Sequence, residues 1–324
     1  MKFAFRNPKS ASSTAALAVQ GSPKKSLGTI LRKDWDLYLM LIPGVVWFIL
    51  FAYVPMGGLA IAFQDYNLWK GISGSTWVGL QNFIDFVTDD VFIRVVKNTL
   101  MLSLYNIVFC FPAPIILAIL LTEMKNRFLS RLTQTVTFIP YFISLVVVCG
   151  MVISFLSPST GLINIILRTL GLPDHYFMVD PKSFRPVYTI MMMWRQTGYN
   201  AIVYIAALMG IDRQLYEAAK VDGATKWQQI IHVTLPCLLP TIITMFILQI
   251  GQLVKVSYEA VLLLYQPATY ETADVIGTYV FRTGLMEQNF GLATAAGLFE
   301  SLIALILVVI SNRISKKFSE TSLW

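Results

Sequence analysis

Charge is scarce in this sequence. Only 13% of its 324 residues are Asp, Glu, Lys or Arg, against 56% hydrophobic, which leaves too little polar surface to cover a soluble globule of that length. Histidine occurs twice, at His175 and His232, with no HExxH or GxSxG pattern around either, so the residue sets of zincins and serine hydrolases are missing. There is no GxxxxGK[ST] stretch, which excludes phosphate binding by the P-loop route. If the chain takes part in ATP-driven work, another subunit must supply the engine. The three cysteines, Cys110, Cys149 and Cys237, are odd in number and lack CxxC spacing. They read as small buried hydrophobes, not as a disulfide or zinc framework.

What is abundant is uninterrupted apolar sequence. Crossing roughly 30 Å of hydrocarbon takes about 20 apolar residues, and runs of that kind lie at 37–63, 98–122, 132–157, 187–211, 236–258 and 288–312. They are apolar on every side, as in NIVFCFPAPIILAILL, where a barrel strand would alternate. The expected fold is all-α integral membrane with six transmembrane helices. Prolines 43, 55, 112, 114, 140 and 240 fall inside or at the ends of these runs and predict kinks more than breaks. Lys and Arg crowd the N-terminal tail, 125–131, 213–226 and 313–317, at more than twice their number in the alternate segments. The positive-inside rule then puts both termini and the 212–236 segment in the cytoplasm. The net charge of +7 reports this topology and gives no basic patch for nucleic acid. Residues 1–32 are expected to be a basic, Ser-rich cytoplasmic tail, with no apolar core long enough for a signal peptide, and 33–324 the transmembrane domain.

Between the fourth and fifth runs lies EAAKVDGATKWQQIIHVTLP, residues 217–236. Leu215, Ala218 and Ala219 share one face of a short helix, with Glu217 projecting away from it. Gly223 breaks that helix at a position permitting positive φ. Thr225 and Gln228 have capping-box spacing and open a second helix with Trp227, Ile230 and Ile231 as its apolar face. Pro236 is placed at the start of the next span. The segment therefore predicts a helix, a sharp turn and a helix. On these features alone, a force-transmitting elbow whose carboxylate meets a partner's Arg and an amphipathic loop lying on the bilayer stand level.

Polar groups inside the spans are the candidates for a substrate path, because an ionisable side chain in hydrocarbon is costly unless it faces a cavity or a partner. Arg195 and Tyr199, at i and i+4 with Gln196 and Asn200 beside them, form one stripe. Gln249, Gln252 and Lys255 form a second, and Glu300 lies mid-span in the last run. Alternatives stay open: an Arg195–Glu300 structural pair, Lys255 snorkelling to headgroups, and the amides as interhelical glue.

The 217–236 stretch resembles the EAA signature of permease subunits in binding-protein-dependent ABC importers, matching at Glu217, Ala218, Ala219, Asp222, Gly223, Ala224, Leu235 and Pro236. LMLIPGVVWFILFAYVPMGGLAIAFQDYN, WVGLQNF, NTLMLSLYNIVFCFPAPIILAILL and ETADVIGTYVFRTGL resemble the oligosaccharide branch close to maltose-type sugar permeases, so that the likeness covers residues 33–324. It implies a type I importer in the bacterial inner membrane: two different permeases side by side, two cytoplasmic ATPases that hold ATP and Mg, and an extracytoplasmic solute-binding protein. This chain would hold no cofactor and catalyse nothing. The resemblance further implies that Glu217 is the docking carboxylate and Gly223 the pivot of a coupling loop. An alginate-type subunit carrying acidic, uronate-containing oligosaccharides is the particular expectation. Neutral oligosaccharide is the alternative, and a self-sufficient secondary transporter is disfavoured because the runs show no evident repeat and only Glu300 as a central carboxylate.

Overall fold

The computed structural model of the chain describes residues 35–253 and 256–318. The expected tail, 1–32, and Lys255 lie outside the described residues. The first helix, α1 (Trp35–Phe63), is strongly apolar beyond Asp36 in its first turn. Its part up to Gly58 belongs to a unit of its own and buries no side chain between Trp35 and Met56. Such a surface is suited to hydrocarbon, not water.

The second unit begins at Leu59. Its β-structure among the described residues is one antiparallel pair, β1 (Gln64–Asp65) with β2 (Thr76–Trp77), in which Gln64 faces Trp77. Helices follow in order: α2 (Gln81–Thr88), α3 (Phe92–Glu123), α4 (Arg127–Phe142), α5 (Leu145–Phe155), α6 (Leu162–Thr169), α7 (Pro181–Met209), α8 (Arg213–Val221), α9 (Lys226–Gln252), α10 (Tyr258–Leu264), α11 (Ile276–Phe281) and α12 (Phe290–Phe318). Among the described residues α1, α3, α9 and α12 are long and apolar enough to cross a membrane, and the bent pair α4–α5 makes a fifth crossing if counted as one. The expected fourth run forms the 29-residue helix α7. Arg195, Gln196 and Asn200 at its centre leave it too polar to meet the same measure.

The run at 132–157 departs from expectation. It breaks between Phe142 and Leu145, and the two pieces diverge by 101°. Pro140 occupies the last turn of α4, where its ring and missing donor disfavour continuation. Ile143 (ψ 135°) and Ser144 (ψ 138°) then run extended.

At three other prolines the helix continues by a common device. π-Helical turns at Ile49–Tyr53, Asn106–Cys110 and Ile230–Thr234 stand just before Pro55, Pro112 and Pro236. In each, the residue preceding the proline donates its N–H five residues back: Val54 to Ile49, Phe111 to Asn106 and Leu235 to Ile230. The extra residue in the turn lets the helix pass a position that has no N–H to give. Pro236 accordingly does not begin a helix. It lies inside α9, ten residues after the helix starts at Lys226.

Three cores hold the second unit together. Leu102, Val148, Cys149, Phe184, Tyr188, Met191 and Val261 join α3, α5, α7 and α10. Phe86, Val95, Ile276, Tyr279 and Ala296 join α2, α3, α11 and α12. Ala118, Ala201, Tyr204, Leu208 and Leu238 join the end of α3, the end of α7 and the beginning of α9. Met191 and Met192 pack in the core, whereas Trp194 is half exposed. Of the cysteines, Cys149 is buried, Cys110 is half-buried, and Cys237 is exposed, contrary to its reading as a core residue.

Candidate functional site

The segment between α7 and α9 folds as a helix, a turn and a helix. Asp212 caps α8 by accepting the Gln214 N–H at 2.9 Å, and the helix ends where Gly223 takes φ +79°, a conformation that a side chain would strain. The Thr225 hydroxyl accepts the Gln228 N–H, and the Gln228 side chain accepts the Thr225 N–H at 2.7 Å, the reciprocal box that opens α9. Across the elbow the Tyr216 and Thr234 hydroxyls meet at 3.0 Å. The Gln229 side chain, buried, donates to the Ala224 carbonyl at 2.9 Å.

The faces differ from those read in the sequence. Tyr216 and Ala219, not Leu215 and Ala218, turn partly inward. Trp227 and Ile231 stand open while Gln229 is the buried residue of that turn. Periodicity identifies which residues share a face; among the described residues nothing covers the one carrying Trp227 and Ile231. Glu217 is exposed and has no ion-pair partner among the described residues. Asp222 is exposed, Ala224 and Leu235 are half-buried, and Pro236 is exposed.

The second candidate lies where α4 and α7 cross. Gly198 is the point of contact: a Cβ there would fall 2.0 Å from the Thr137 carbonyl oxygen, so the backbones touch. One residue on, Tyr199 stacks on Tyr141 with centroids 3.8 Å apart and planes 2° from parallel. The Arg195 guanidinium lies 5.6 Å from the centroid of the same Tyr141 ring, within cation–π range. Its Nε is buried without a hydrogen-bond partner, and Arg195 forms no ion pair among the described residues. Gln196 and Asn200 flank it, half-buried, and on α9 Gln249 is half-buried and Gln252 exposed. Glu300 lies elsewhere, in the wall of a cavity of about 800 Å³ with Tyr258, Gly277, Gly284 and Ser301, and no residue of α7 or α9 shares that wall.

Sequence reasoning missed two features. Tyr141 carried no signal, because its partners are 54 and 58 residues away. The other is a polar clamp around Asp274, which is fully buried. Its carboxylate accepts from Arg94 at 3.2 Å, from Arg282 at 3.0 and 3.2 Å and from the Thr278 hydroxyl at 2.9 Å. Asn98 donates to the Asp274 carbonyl at 3.0 Å and accepts from Arg185 at 2.9 Å. Burial pulls the Arg282 pKa down, but the bond and charge of Asp274 outweigh it and hold the guanidinium above its ordinary value. A signal existed in the Asp274, Thr278, Arg282 spacing, which lays an acid, a hydroxyl and a base along one helical face.

A bundle of apolar helices long enough to span hydrocarbon, with polar groups confined to helix crossings and connections, defines an integral membrane protein. The model of the family described as "Binding-protein-dependent transport system inner membrane component" matches residues 96–320, and the chain belongs to that family. It is 40% identical over 309 residues to the polygalacturonan/rhamnogalacturonan transport system permease protein YteP of Bacillus subtilis (strain 168), an overlap of 95% of this chain and 96% of that protein. It also matches a chain in the crystal structure of a bacterial ABC transporter involved in the import of the acidic polysaccharide alginate, at 43% identity and a TM-score of 0.85, covering 90% of this chain and 99% of that one. In the bacterial alginate ABC transporter in complex with alginate pentasaccharide-bound periplasmic protein, the match is 42% identical with a TM-score of 0.86, over 92% and 100% of the two chains. The family makes the chain a membrane component of a transport system.

Proposed function

We propose that this chain forms half of the translocation path of an ATP-driven importer of acidic oligosaccharides. It crosses the bacterial inner membrane six times, with α4–α5 as a bent third span, α7 as the fourth and both termini cytoplasmic. A second permease completes the path, two ATPases supply ATP and Mg chemistry, and a solute-binding protein delivers the sugar. The α8–α9 elbow docks in an ATPase, with Glu217 as the carboxylate that meets its Arg and the open Trp227–Ile231 face seated against it.

The observation that carries the substrate class is Arg195. A guanidinium with no ion-pair partner among the described residues, beside a flat tyrosine pair, offers charge-assisted donors to a carboxylate and an aromatic face to a pyranose ring. Relatives whose substrates are alginate and polygalacturonan, both uronate polymers, support the same class. With the complex in proteoliposomes, Arg195→Gln is expected to cut uptake of oligogalacturonate or oligoalginate by about tenfold or more, the effect of removing one side of a desolvated charge pair, and to spare neutral malto-oligomers. Equal loss for both sugar classes, or no loss, refutes the acidic reading.

A further inference from the structure

The core built from Ala118, Ala201, Tyr204, Leu208 and Leu238 belongs to three helices, α3, α7 and α9. The elbow is continuous with two of them: α7 runs into it at Asp212 and α9 runs out of it from Lys226. The third, α3, ends at Glu123, and the Lys226 ammonium donates to the Glu123 carboxylate at 2.6 Å. The two residues are 103 apart in sequence. Lys226 is the first residue of α9 after the Thr225 cap, and Glu123 is the last of α3. The bridge thus closes the third corner between the elbow and the core above it.

The linkage continues past α3. Ser130, in the first turns of α4, donates its hydroxyl to the Leu121 carbonyl at 3.1 Å. The far end of α4 carries Tyr141, the ring that stacks on Tyr199 and lies under Arg195. A displacement of the elbow therefore reaches the Tyr141 end of the α4–α7 crossing by two routes, along α7 directly and through Lys226, Glu123 and α4. As a bridge whose side chains are 63% and 31% exposed, it adds little to stability. Its placement is what distinguishes it.

We infer that the Lys226–Glu123 pair is a positioning strut that delivers elbow movement to α3 and α4, so that both sides of the α4–α7 crossing shift together. This rests on the reading of the elbow as the ATPase-docking element. Without the strut, ATPase closure still moves α7 and α9, but α3 is free to lag, and hydrolysis runs with less substrate carried per ATP.

The test uses the whole complex in proteoliposomes with loaded binding protein, measuring uptake and ATP hydrolysis together. Glu123→Gln and Lys226→Gln are expected to assemble normally and to lower substrate carried per ATP, on the order of 2-fold to 30-fold, the range in which residues between coupled sites act. The double Gln variant should be no worse than either single one, and the exchanged pair Glu123→Lys with Lys226→Glu should restore the ratio. A general loss of stability would lower uptake and hydrolysis in parallel and leave the ratio unchanged, which overturns the strut. Multiplying losses in the double variant, or no recovery in the exchanged pair, also overturns it. Glu217→Lys in the same preparation tests docking separately. If it leaves ATPase assembly and stimulation at wild-type levels, the docking reading fails; if it abolishes them while Glu123→Gln keeps the wild-type ratio, the strut alone fails.

Discussion

Gly198→Ala puts the crossing of α4 and α7 under direct strain. The added carbon would sit 2.0 Å from the Thr137 oxygen, 2.4 Å from its carbonyl carbon and 2.9 Å from the Phe138 nitrogen. Non-bonded heavy atoms settle near 3.5–4.0 Å, so the helices must part by on the order of 1–1.5 Å. The obstacle is backbone on both sides, which no rotamer change relieves. Overpacking of this kind costs about 1–3 kcal/mol, and a rigid backbone obstacle puts the site at the upper end, about 3 kcal/mol. The displacement falls one residue from the Tyr141–Tyr199 stack, which at 3.8 Å has no slack to absorb it.

Two measurements follow: the melting temperature of the complex in nanodiscs and binding-protein-stimulated uptake. Gly198→Ala should lower both. Gly150→Ala, on α5, is the matched control, since a Cβ there meets nothing within 4 Å, and it should lower neither. If Gly198→Ala melts and transports like wild type, the α4–α7 contact is not the fixed point that the geometry makes it.

Gly223→Val should strain the elbow turn by about 1–3 kcal/mol, because φ +79° is held there by a residue without a side chain; spans should insert normally while ATPase stimulation falls, and wild-type stimulation would place the pivot elsewhere. Asp274→Asn removes the charge that neutralises Arg94 and Arg282 inside the clamp. Breaking such a buried pair costs about 3–5 kcal/mol, reduced here toward the lower figure because both arginines are partly exposed, and an unchanged melting temperature for the purified complex would contradict it.

The apolar runs were legible because hydrocarbon imposes a length and a composition that few other sequences satisfy. The elbow was legible because its signals are local: the glycine at 223 and the capping box of Thr225 and Gln228 directly after it. Pro236 and Pro140 were misread for one reason. Proline announces a missing donor, but whether the helix compensates with a π turn, as before Pro236, or breaks, as after Pro140, depends on what packs around it. The Asp274 clamp was invisible as a clamp because Arg94 lies 180 residues away. Its arginines registered only as charges on one side of a membrane.

In a chain this poor in charge, how each ionisable group is satisfied separates structure from function. Asp274 is fully buried and fully answered, by two arginines and a hydroxyl; desolvating it is tolerable because its neighbours replace the water. Arg195 is partly buried, lies over the face of a tyrosine and has no ion-pair partner among the described residues, with Nε unsatisfied. A cation–π contact recovers about 0.5–2 kcal/mol, less than a carboxylate would. The clamp therefore serves the protein's own stability, and replacing Asp274 should unfold it before it alters selectivity. Under the proposed function the Arg195 cluster is what meets the sugar, and replacing Arg195 with Gln should then relieve an unsatisfied buried donor, leaving the melting temperature level or higher while the preference for acidic sugar disappears.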